Sequence, residues 1–186
     1  MDQTAPNSEF SRLRDVSELP TQGLTLSIEA TSAELEALCR RFELKAVHAL
    51  EARVRIERTR DPQHGPAIRV QAVLHAEVTQ ECGVTLESFQ VDVDEDFSIL
   101  FQFSSHMPAR AGAVDDVLDE DAPEPLEVPK IDAGELVAQH MALALDPYPR
   151  RPGVALESRA KEAQIADLSA RPNSPFAKLG QLKHKM

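Results

Sequence analysis

Two long runs in the middle of this chain alternate strictly between apolar and polar residues. In LEARVRIER, Leu50, Ala52, Val54 and Ile56 fall on one side, and Arg53, Arg55 and Glu57 fall on the other. In IRVQAVLHAEV, Ile68, Val70, Ala72, Leu74, Ala76 and Val78 take the apolar side. A period of two marks a strand with one face on a core and one face in water. DPQHGP separates the runs, and Pro and Gly interrupt regular structure. A shorter run, GLTLSIEAT, repeats the pattern at Leu24, Leu26 and Ile28. A third long run, VTLESFQVDVDEDFSILFQF, changes phase partway. Val84 and Leu86 lie in one phase, and Phe89, Val91 and Val93 lie in the other. A β-bulge near Ser88 reconciles them, because one extra residue reverses the facing. The inward row then continues through Phe97, Ile99, Phe101 and Phe103.

Two segments switch to helical spacing. In TSAELEALCRRF, the residues Leu35, Leu38, Cys39 and Phe42 share a face, and Thr31 with Glu34 forms a capping box. In IDAGELVAQHMALAL, Asp132 is the expected N-cap, with Glu135 three residues on. Leu136, Val137, Met141, Ala144 and Leu145 are the residues expected to dock. The prolines of DPYPRRPG stop this helix. The expected fold is α+β, with an antiparallel meander of about four or five strands packed with two helices. Residues 1–20 show no clean period and are expected as an N-terminal arm. The α+β domain is expected over 21–149, and a C-terminal extension over 150–186. Within the domain, residues 105–128 carry clustered acid and prolines, which resist collapse, and are expected as a mobile loop.

Composition narrows the function. The formal net charge is -11, with 31 acidic against 20 basic residues. That excludes a general polyanion binder, since non-specific nucleic-acid affinity comes from Lys and Arg. DNA is not an expected partner, and any RNA contact must be local. Only 4% of residues are aromatic, with no Trp, so stacking platforms are scarce. No window approaches the roughly 18 unbroken apolar residues of a membrane span. The polar start MDQTAPNSEF lacks the pattern of a secretory signal, so the expected location is cytoplasmic. Cys39 and Cys82 then read as buried thiols.

Catalytic and metal motifs are missing. The six histidines form no HExxH or His-rich cluster, and there is no GxSxG elbow or phosphate loop. No cofactor, metal or catalytic residue is expected. Cys82 would serve as a nucleophile only with a depressed pKa, and its neighbours Glu81 and Gly83 bring no cation. The end of the chain differs. In SPFAKLGQLKHKM, Ser174 is a good N-cap and Pro175 suits the first helical position. Phe176, Leu179 and Leu182 recur every third residue, and Lys183 and Lys185 follow at the C-terminal end. A helix this short needs a surface to fold on. Its own domain and a partner both remain open as that surface, and the partner-binding residues would be Pro175, Phe176, Leu179, Leu182, Lys183 and Lys185.

Four segments in this order resemble the YceD family of large ribosomal RNA subunit accumulation proteins, in its alphaproteobacterial form. They are EFSRLRDVSELPTQGLTLSIEAT, RVQAVLHAEVTQECGVTLESFQVDVDEDFSILF, IDAGELVAQHMALALDPYPRRPG and SPFAKLGQLKHKM. The resemblance implies a non-enzymatic bacterial factor supporting 23S rRNA accumulation. Its partner would be a ribosomal protein or a large-subunit precursor particle, with a local rRNA contact as another possibility. Two further readings stand beside it. One is a chaperone-like binder of a newly made basic ribosomal protein, and the other is a small enzyme using Cys82. Other branches of the family carry CxxC in the central block, whereas here Thr85 follows Cys82 at that spacing, so a metal or redox role for the pair does not transfer.

Overall fold

The computed structural model describes residues 8–63, 65–104 and 122–154. Among the described residues, seven strands and two helices follow in chain order: β1 (Leu13–Asp15), β2 (Leu24–Glu29), α1 (Ser32–Arg41), β3 (Ala46–Asp61), β4 (Gly65–Glu81), β5 (Ser88–Phe103), β6 (Glu124–Leu126), β7 (Lys130–Asp132) and α2 (Ala133–Ala144). The fold is α+β. The main sheet has the order β2-β3-β4-β5-β6, and β1 pairs with β7 in a two-stranded sheet. Pairing is antiparallel between β2 and β3 and between β3 and β4, and parallel between β5 and β6. The chain divides into two compact units, one of residues 1–80 with 88–147 and one of residues 81–87 with 148–186.

In the first unit, the register converts sequence alternation into continuous apolar rows. Leu26 lies opposite Val54, which lies opposite Ala72, and the next row joins Ile28, Ala52 and Leu74. Val54, Ile56 and Val70 have no exposed surface. Each such burial contributes roughly 2 kcal/mol. Leu38 of α1 and Val137 and Met141 of α2 join the same core, so both helices cover one face of the sheet.

Caps set where the helices begin and end. The expected box forms at α1, where Thr31 accepts from the Glu34 backbone N–H and Glu34 accepts from the Thr31 N–H. The helix ends as Glu43 enters the left-handed region at φ 53 and Leu44 N–H bonds the Cys39 carbonyl at 3.0 Å. Asp132 caps α2 as expected, accepting from the N–H groups of Gly134 and Glu135. Glu135 does not complete a box there. Its carboxylate instead takes both arms of Arg41, at 2.6 and 2.8 Å.

Three expectations change. Residues 8–20 are not a loose arm. Phe10, Val16 and Leu19 are buried in the core, and β1 pairs with β7. The Arg12 N–H donates to Asp132 at 2.6 Å, and its guanidinium forks onto Glu34 at 2.6 and 3.0 Å. These partners are distant in sequence, so no local period announces them. The Arg12 and Arg41 guanidinium groups hold the carboxyls of Glu34 and Glu135 down at about 2. The resulting stability is complete above the ordinary carboxylate value of 4.5 and fades as the pH falls toward 2.

The second change is at the phase break of the third run. Residues 83–85 form a turn and β5 begins only at Ser88, so a hairpin connection resets the facing rather than a bulge. The bulge that does occur lies between Val47 and Ala49 of β3. The third change is inside the segment expected as an acidic loop. Glu124–Leu126 is an edge strand with Leu126 buried, and an edge accommodates Pro125 because its missing N–H faces no partner strand. Residues 105–121 lie outside the described residues.

Gly134 shows how tightly the N-terminal segment seats on α2. A Cβ there would overlap the Phe10 carbonyl and approach the Arg12 nitrogen at 3.0 Å. Gly134→Ala should therefore destabilise the protein by about 3 kcal/mol in urea unfolding. A change below about 0.5 kcal/mol, as for ordinary surface substitutions, would show that the segment is not docked this way.

Candidate functional site

The uncovered face of the main sheet carries the polar halves of the same strands. Register places them in transverse rows. Glu29 on β2 lies opposite Glu51 on β3, which lies opposite His75 on β4. His75 Nδ1 reaches Asp94 on β5 at 2.8 Å. The next row is Ser27, Arg53 and Val73, and the third is Thr25, Arg55 and Gln71. Two open hollows lie over these rows. One of about 560 Å³ includes Glu29, Glu51, Arg53, Val73, His75 and Asp94 in its lining. The other, of about 460 Å³, includes Arg53, Arg55, Gln71, Val73, Asp96 and Ser98. They share Arg53 and Val73, so together they form one trough along the strands.

Electrostatics grades this trough. Asp94, with Asp92 and Glu51 adding their fields, raises the pKa of His75 above its ordinary 6.5. Arg55 is held by Glu57 at 2.8 Å and by the Gln22 carbonyl at 3.2 Å. Glu29, Glu51, Asp92 and Asp96 make no ion pair among the described residues. Val73 stands among these polar groups with 63% of its surface exposed. The arrangement suits binding a charged partner with an apolar anchor. Among the described residues, no three His, Cys, Asp or Glu side chains cluster to hold a metal ion.

The second unit centres on Cys82. The Cys82 N–H bonds the Glu87 carbonyl at 2.9 Å, and the Leu86 N–H bonds the Cys82 carbonyl at 2.8 Å. The PYPRRPG segment seals this turn. Gly83 N–H bonds the Pro149 carbonyl at 2.9 Å, Arg151 N–H approaches the Cys82 sulfur at 3.4 Å, and the Arg151 guanidinium meets Glu87 at 3.0 Å. The Thr85 hydroxyl leads these bonds in bringing the Cys82 thiol down to about 6, with the Arg151 N–H next. Burial opposes this, more weakly than the hydrogen bonds lower it. Cys82 has no accessible surface, so reagents do not reach it in this state. The leading group, Thr85, is three residues away, but Arg151 is 69 positions away and no local pattern reveals it.

The tail residues Pro175, Phe176, Leu179, Leu182, Lys183 and Lys185 lie outside the described residues. The large ribosomal RNA subunit accumulation protein YceD family model matches residues 70–183, more than half of the chain. The chain belongs to the YceD family. That membership assigns it a role in large-subunit ribosomal RNA accumulation. No curated protein and no solved structure gives a significant match. The YceD match begins in β4 and takes in the Cys82 turn, α2 and the tail. Within the matched stretch Thr85, three residues after Cys82, supplies a hydrogen bond to its sulfur. Among the described residues, no helix is long and apolar enough to cross a membrane.

The two half-buried histidines should titrate in opposite directions. The carboxylate of Asp94 raises His75, whereas burial beside the stacked Phe97 ring, 3.7 Å away, lowers His140 despite Glu95 and Glu124. The stability from His75 is present below pH 6.5 and is lost as the pH rises through its raised value. His140 is neutral in the fold, and its environment costs stability as the pH falls below 6.5. NMR titration of the ring protons should place His75 above 6.5 and His140 below it. Asp94→Asn should bring His75 back toward 6.5, and identical midpoints for the two rings would refute the assignment.

Proposed function

We propose that this YceD-family protein is a non-enzymatic, cytoplasmic accessory factor for large ribosomal subunit biogenesis that acts by contact. Its partner is a ribosomal protein or a precursor particle. The observation that carries this reading is the extent of the family match, which runs through the tail to residue 183. In this reading Pro175 starts a short helix. Phe176, Leu179 and Leu182 supply its apolar face, and Lys183 and Lys185 steer it toward the partner. The net charge of -11 restricts any direct rRNA contact to this basic end. A second reading, a chaperone-like binder of one newly made basic ribosomal protein, is favoured by the carboxylates of the open sheet face.

Sedimentation of a cell lysate through a sucrose gradient separates the two. The full-length protein should co-migrate with large-subunit precursors, and removal of residues 174–186 should release it. If the full-length protein stays with free proteins at the top, particle binding is wrong and the single-client reading takes its place. Replacing Phe176, Leu179 and Leu182 together with Ala should abolish co-migration while leaving the thermal midpoint unchanged. A marked fall in the midpoint would make the tail a structural element.

A further inference from the structure

The face of the main sheet that neither helix covers is a trough with a definite chemistry. Its floor is Val73, the one apolar residue in the rows defined by Ser27, Arg53 and Val73 and by Thr25, Arg55 and Gln71. A valine with 63% of its surface in water, at the meeting point of two hollows, offers an anchor for one apolar side chain. At one end, Glu29, Glu51, His75 and Asp94 line up across four strands. Arg53 and Arg55 lie beyond, and Glu57 already neutralises Arg55. The balance is acidic, so the trough repels phosphate and attracts cationic side chains.

We propose that this trough is a docking site for a Lys/Arg-rich polypeptide segment bearing an apolar side chain. The apolar side chain seats on Val73, and the cationic residues beside it meet Glu29, Glu51 and Asp94. Arg53 sets the direction by repelling a positive charge placed at the wrong end. Because the two hollows follow one another along the strands and the acidic row crosses one end, the site reads a segment laid along the strands, about 10 Å per three extended residues. The inference takes the contact-based role above as its setting, but its chemistry stands without the tail.

The test uses the full-length protein and a fluorescent probe peptide of alternating Lys and Leu. Binding is read by anisotropy, and the contact surface by backbone amide shifts of the unmutated protein. The peptide should bind, with shifts concentrated at Ser27, Arg53, Val73 and His75. The triple change Glu29→Gln, Glu51→Gln, Asp94→Asn should weaken it about tenfold, from three exposed charge contacts. An equal charge change elsewhere, Glu18→Gln, Glu36→Gln, Glu127→Gln, should leave affinity within about twofold. Equal losses in the two triple variants would reduce binding to net charge and overturn the proposal. So would absent binding, shifts lying off the sheet, or tighter binding on this face of a single-stranded RNA oligonucleotide. None of these outcomes depends on particle co-migration, so the trough and the tail can fail separately.

Discussion

Leu26, Val54 and Ala72 meet across β2, β3 and β4 on the one face that α1 and α2 cover. A sheet buried on a single face must carry its apolar groups at every second position, and it must present the intervening residues to water. Both halves of that constraint matter here. The inward rows build the core. The outward rows bring Glu29, Glu51, His75 and Asp94 into one line, although they are scattered over 66 positions of sequence. The open face is thus a by-product of how the core is made, and its side-chain order is set by strand register.

The second support is electrostatic. The segment before β2 adds Phe10, Val16 and Leu19 to the core and is fastened to α1 by the Arg12–Glu34 fork and to the start of α2 through Asp132, while the Arg41–Glu135 fork joins the two helices. Arg12 engages Glu34 at the start of α1, while Arg41 at its end engages Glu135 at the start of α2. Asp132 caps α2 and at the same time accepts the Arg12 N–H, so one carboxylate serves a helix end and a strand pair. Gly134 permits this because the Phe10 carbonyl occupies the space a side chain would need. Half-buried bidentate pairs of this kind fix geometry more than they add stability.

Local patterning carried much of the fold. The period-two runs around Val54 and Leu74, the Thr31–Glu34 box and the Asp132 cap are all visible in the sequence because their partners lie within a few residues or their period is strict. What the sequence hid was non-local. Nothing near Arg12 points to Glu34, and nothing near Cys82 points to Arg151. The edge strand Glu124–Leu126 was concealed by acid and proline, residues that an edge tolerates and a central strand does not. The phase change before Ser88 was visible, but a turn and a bulge leave the same signature. For the open face, the sequence showed which residues point outward. It did not show which of them stand side by side, because that depends on register between strands.

Family membership supplies the setting of large-subunit rRNA accumulation, and the open acidic trough supplies a chemistry suited to basic protein rather than to RNA. The most direct measurement is photocrosslinking in cells from a benzoylphenylalanine placed at Val73, with the same group at exposed Glu36 of α1 as reference. The account predicts a crosslink specific to position 73, whose captured peptide, sequenced by mass spectrometry, is rich in Lys and Arg. Crosslinks to rRNA from position 73, or equal capture from both positions, would contradict it.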